Sequence, residues 1–179
     1  MNLNELQVGV LDLIKSRHVV GINDSTGYFL SVKGSKELLV VRKVALWWRT
    51  LQIESFCTLS SALLKYENCF NDAVTSFYNS SSFSPYRDEV GIQFLDYLQV
   101  YNSDAFVRTV SSFELALIQC KKGKAVSLSQ TWEYEPYTII SGLLQNAISK
   151  EHFVKGSYLV EVCSGNAELF TVTPFGSHQ

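Results

Sequence analysis

Histidine, cysteine and carboxylate are the side chains that most often hold metals or move protons, and in this chain they are dispersed. Its three histidines, His18, His152 and His178, have no second ligand three or four residues away, the spacing that would align two donors on one helix face. A zinc or iron site built by this chain alone is therefore not expected; such sites need three or four N, O or S donors. The cysteines, Cys57, Cys69, Cys120 and Cys163, lie far apart without a C-x-x-C pair, and read as buried thiols in a reduced cytosol. Cys120 precedes Lys121 and Lys122, whose ammonium groups would favour a thiolate; the competing reading is a helix-end residue facing the interior. Glu133 and Glu135 flank Tyr134 at the spacing of one strand face, which suits either paired acid/base work or a solvent side. No G-x-S-x-G, Walker or G-x-G-x-x-G sequence occurs. These residues give no self-contained active site, no catalytic residue and no cofactor of the chain's own.

Residues suited to gripping another molecule are more prominent. Trp47-Trp48-Arg49 sets two indoles side by side, about 100° apart if helical, so that one can enter a core while the other meets a boundary. Arg49 adds a planar donor for a carboxylate or a ring. The trio reads as packing or as an anchor for a partner.

The elements that position these residues follow from the apolar rhythm. Leu3, Leu6, Val10, Leu11 and Ile14 give an amphipathic helix ending near Arg17. Gly27–Val32 and Glu37–Val41, β-branched and aromatic, flank Lys33-Gly34-Ser35-Lys36 and predict a β-hairpin. From Arg42 to Gly123 the period is helical. Leu46, Leu51 and Ile53 mark one helix, Leu59, Leu63 and Leu64 a second, and Phe70, Val74 and Phe77 a third. Ser84-Pro85 opens a fourth, with Val90, Phe94, Leu95 and Leu98 on its apolar face. Asp104 caps a fifth, striped by Phe106, Val110, Phe113, Leu117 and Ile118 and stopped at Gly123. Val126–Tyr134 alternates as a half-exposed strand, and Tyr137–Asn146 reads as a helix or a buried connection. Tyr158–Cys163 and Glu168–Thr173 flank the turn Ser164-Gly165-Asn166-Ala167. The expected fold is α+β: an N-terminal helix and hairpin over 1–41, a bundle of short helices over 42–123, and a small β-rich peptide-binding domain over 124–179.

Composition bounds the function. The 179 residues are 46% hydrophobic and 18% charged, with Lys+Arg 15 against Asp+Glu 17. That excludes disorder, and a net charge of −2 gives no general pull toward phosphate or a membrane surface. No apolar run approaches the roughly 20 residues of a membrane span, and the N-terminus lacks a signal peptide's basic start, so a cytoplasmic location is expected. Charge is depleted while aromatics reach 13%, a balance that favours an interface or groove.

A small open sheet offers that interface an edge. Ser127–Tyr134 and the C-terminal hairpin carry only Glu133, Glu161 and Glu168 and lack the Lys residues that often guard edges. An extended peptide could add there, at Ser127, Leu128, Ser129, Gln130 and Trp132 or at Tyr158, Val160 and Val162; alternatively the N-terminal hairpin covers the edge.

The run Trp48-Arg49-x-Leu51-Gln52, Leu59 through Leu64, Phe70 and Phe77-Tyr78 continues with Ser84-Pro85-Tyr86, Gly91-x-x-Phe94-Leu95-x-Tyr97-Leu98 and Phe113-Glu114-x-Ala116-Leu117. Together these resemble the helical domain of small partner proteins of multinuclear non-haem iron enzymes of TIM-barrel fold. Those enzymes act in ribosomal peptide natural-product pathways of the methanobactin and 3-thiaglutamate type. The resemblance covers the helical middle and leaves the N-terminal segment unmatched. It implies a non-catalytic subunit that docks as a heterodimer on the barrel enzyme, which holds the iron. The subunit would recruit a precursor's leader so that a cysteine, C-terminal in the precursor, is modified. The trio Trp47, Trp48 and Arg49, singled out above by residue type, supplies the partner-facing candidates, and the net charge of −2 with no long apolar run argues against nucleic acid or membrane as a partner. Two rivals stand beside it. One is a DNA-binding regulator with a winged-helix-like N-terminal unit, using Arg42, Lys43, Arg49 and Lys121-Lys122-Lys124. The other is a thiol enzyme using Cys120.

Overall fold

The computed structural model describes residues 3–15, 27–80, 86–164 and 168–175. Eight helices and three strands lie among them: α1 (Leu3–Ile14), α2 (Tyr28–Lys33), α3 (Lys36–Phe56), α4 (Thr58–Tyr66), α5 (Phe70–Ser80), α6 (Arg87–Tyr101), α7 (Ala105–Lys121), β1 (Ser127–Tyr134), α8 (Pro136–Leu144), β2 (Lys155–Cys163) and β3 (Phe170–Pro174). The fold is α+β, mostly helical with one small antiparallel sheet.

The N-terminal hairpin is corrected. Both of its expected strands are helical: Gly27–Val32 falls in and before α2, and Glu37–Val41 lies inside α3. Lys33-Gly34-Ser35-Lys36 is a helix stop followed by a helix start. Gly34 closes α2, and the Ser35 side chain caps α3 by accepting from the Leu38 amide at 3.1 Å. Burial of Phe29 and Leu38 against Leu13 of α1 then overrides the strand preference of the β-branched run. α3 continues past position 42 without a break and delivers Ile53 to the main core.

That core is built around α4, whose consecutive residues Leu59–Leu64 are all buried, with α3, α5, α6, α7 and α8 about it. α3 crosses α6 at Gly91, where any Cβ would overlap the Phe56 ring. α7 starts as its sequence predicts, with Asp104 Oδ1 accepting from the Phe106 and Val107 amides at 2.6 and 3.1 Å. Past its end, Gly123 takes φ +72°, which an L side chain rarely adopts. The Ser84-Pro85 helix opening lies outside the described residues, as do Arg17 and the turn at 165–167.

The sheet runs β1-β2-β3, so β2 is central. Leu128 pairs with Val162, Gln130 with Val160 and Trp132 with Tyr158, and this face lies on α7. Phe113 of α7 meets Trp132 and Phe170 edge-on at 5.4 and 5.1 Å between centroids. Helices α3–α8 and the sheet thus share one core, while α1 and α2 form a smaller cluster with Leu38 of α3.

Candidate functional site

The sheet divides the predicted peptide-binding residues into two groups. Ser127, Leu128, Ser129, Gln130 and Trp132 lie on β1, an edge strand with no strand on its outer side among the described residues. Tyr158, Val160 and Val162 lie on β2, which pairs with β1 on one side and β3 on the other. Their backbone groups face existing strands, so an added peptide finds no edge there, which corrects that half of the expected site. Among the described residues the other edge strand is β3.

Along β1 the side chains alternate. Ser127, Ser129, Thr131 and Glu133 are exposed, whereas Leu128, Gln130, Trp132 and Tyr134 turn toward the interior. Trp132 is 1% exposed and Val160 and Val162 are buried, so these three supply core rather than contact surface. Gln130 Nε2 donates to the Thr109 carbonyl of α7 at 3.1 Å and fixes the strand on the helix. A peptide on this edge would therefore be held by β1's main chain, with the small Ser and Thr side chains leaving room beside it. The N-terminal helices, the alternative cover for that edge, pack elsewhere: α1 and α2 bury Leu13 and Phe29 against Leu38 at the start of α3. Near the edge, a hollow of about 500 Å³ is walled by Phe106, Thr109, Trp132, Ser157 and Phe175. The indole N–H of Trp132 is buried and has no acceptor among the described residues.

Trp47 and Trp48 are both on the surface, 58% and 55% exposed, with their rings 6.3 Å apart. Neither enters the core. Arg49 is half-buried and donates to Gln52 Oε1 at 2.8 Å.

The expected chemistry-bearing residues separate into structural roles. Glu135 does not share a face with Glu133; it ends β1 and caps α8, accepting from the Tyr137 and Thr138 amides at 3.2 and 2.6 Å. His152 closes a short 3-10 turn, its Nδ1 within 3.2 Å of the Ser149 amide and 2.9 Å of its hydroxyl. His18 and His178 lie outside the described residues. Cys120 is half-buried against the core. All four cysteines are free thiols. Among the described residues no group of three or more His, Cys, Asp or Glu could hold a metal ion. The basic residues of the DNA-binding reading are dispersed: Arg42 Nε donates to the Leu13 carbonyl at 2.7 Å, and Lys122 pairs with Asp88 at 3.2 Å.

One ionisable group quoted above only as part of a motif, with no role assigned, is Glu114. Buried on α7, it accepts from the Leu59 and Ser60 amides at 2.8 and 2.9 Å and so caps α4 from another helix. Burial pushes its carboxyl pKa up, against the pull of these hydrogen bonds. Nearby Cys57, whose Sγ donates to the Gly91 carbonyl at 3.4 Å, is pushed well up by burial and then by Glu114. The available signal was a carboxylate placed four residues after Val110 and directly after Phe113, on an apolar stripe.

Compared with models of protein families, with curated proteins and with solved structures, the chain shows no match.

Proposed function

We propose that this chain is a non-catalytic partner subunit. It docks on an iron-dependent, peptide-modifying oxidative enzyme and recruits the leader region of a ribosomal precursor peptide, so that a cysteine of that peptide reaches the enzyme's metal. The observation that carries this reading is β1, a sparsely charged edge strand fixed to helix α7, with no strand pairing its outer side among the described residues. An extended leader adding to that edge gains main-chain hydrogen bonds that depend little on its sequence. Holding the leader raises the effective concentration of the reactive end at the enzyme. Trp47 and Trp48 supply exposed aromatic area for the enzyme-facing contact, of the kind enriched in binding hot spots. No helix among the described residues is long and apolar enough to cross a membrane.

Co-purification tests the assembly: the chain and a barrel enzyme form a stable heterodimer, and iron-dependent oxidation of the precursor requires both. Full activity of the enzyme alone would overturn the proposal. Guarding the edge tests the site. Ser129→Lys with Thr131→Lys places two cations on exposed β1 positions and should weaken leader binding about tenfold while leaving the fold intact.

A further inference from the structure

Four of the seven exposed large apolar residues of α3 form a seam. Val40, Val44, Trp47 and Leu51 succeed one another at spacings of four, three and four residues, the rhythm of a coiled-coil contact line. They are between 38% and 60% exposed. At about 100° per residue this line faces away from Leu46, Ile53 and Cys57, which enter the core. Val41 and Trp48, also exposed, widen it on one side. The seam spans roughly 16 Å, about three turns of a partner helix at 1.5 Å per residue.

The flanks say what kind of helix it accepts. Lys36 and Lys43 are one heptad apart, each at the position that borders a coiled-coil seam and selects the partner by charge. Among residues 36–51, Lys36 and Lys43 border the seam, Glu37 lies in line with it three residues before Val40, and Arg42 and Arg49 fall on the far side of the helix by the same count. A second copy is a poor occupant. Antiparallel pairing would set lysine against lysine, and parallel pairing would set it against Val41 and Trp48. We infer that α3 docks an amphipathic helix of a different protein, one whose apolar stripe is bordered by Asp or Glu. The inference rests on the partner-docking reading above and assigns the docking element its chemistry.

The test uses the full chain and two synthetic three-heptad peptides with Leu along the seam, one flanked by Glu and one by Lys. The Glu peptide should bind at least about tenfold tighter at low salt and shift the emission of Trp47 and Trp48 to the blue. Val44→Glu should remove that binding, and Lys36→Glu with Lys43→Glu should transfer the preference to the Lys peptide; all three positions are exposed and tolerate substitution. Equal binding of both peptides, binding of neither, or dimerisation of the chain alone that Val44→Glu abolishes would each overturn the inference. If the peptides fail while Trp47→Ala with Trp48→Ala still blocks co-purification with the barrel enzyme, only the acidic-helix assignment falls and the docking reading stands.

Discussion

Glu114 shows how a single residue sets a local balance. Its two oxygens satisfy the amides that open α4, yet burial disfavours the charge that makes them good acceptors. Because the folded-state pKa is raised, the folded protein holds this proton more tightly than the unfolded chain does. The associated stability is full below the ordinary glutamate value and is lost as pH rises through the raised one. Urea unfolding should therefore show wild type losing stability relative to Glu114→Gln as pH climbs through that window; a constant difference would contradict the assignment. Glu114→Ala leaves the two amides unpaired in a dry core and should cost about 2–4 kcal/mol, measured at neutral pH. Of these roles the residue types disclosed little. A Glu on an apolar stripe signals only that something must satisfy it, and the acceptor it provides serves a helix some fifty positions earlier.

The elements were more legible where local chemistry and burial agree. Asp104, the Phe106–Val110–Phe113 stripe and Gly123 each encode a part of α7, and the alternation from Ser127 to Tyr134 encodes β1. They were illegible where the two conflict. Tyr28–Val32 and Glu37–Val41 carry strand-type residues, but Leu13, Phe29 and Leu38 meet only if both segments coil. Gly91 marks the closest approach between elements, since α3 lays Phe56 across it. Gly91→Ala must displace that ring, which also lies under Lys122 at 5.5 Å, and should destabilise the protein by about 1–3 kcal/mol in thermal or urea unfolding. An unchanged midpoint would show that the two helices part without cost. Asp104→Ala removes a cap and should cost about 1 kcal/mol by the same measurement.

Among the described residues, one core joins α3–α8 to the sheet, a smaller cluster holds α1 and α2 on the start of α3, and the surfaces proposed for other chains are the outer side of β1 and the seam on α3. Part of the sheet's layout was legible in the sequence. The sparse charge of Ser127–Trp132 pointed to an unguarded edge; the order of strands, which puts Tyr158, Val160 and Val162 in the middle, is a long-range property that alternation alone does not encode. The exposure of Trp47 and Trp48 was equally hidden, because a helix rich in apolar residues on several sides does not say which side the core takes. Amide hydrogen exchange of the full chain, with and without a precursor peptide, bears most directly on the proposed strand addition. Slowed exchange concentrated in Ser127–Tyr134 is the predicted result, and protection confined to other elements, or none at all, would contradict it.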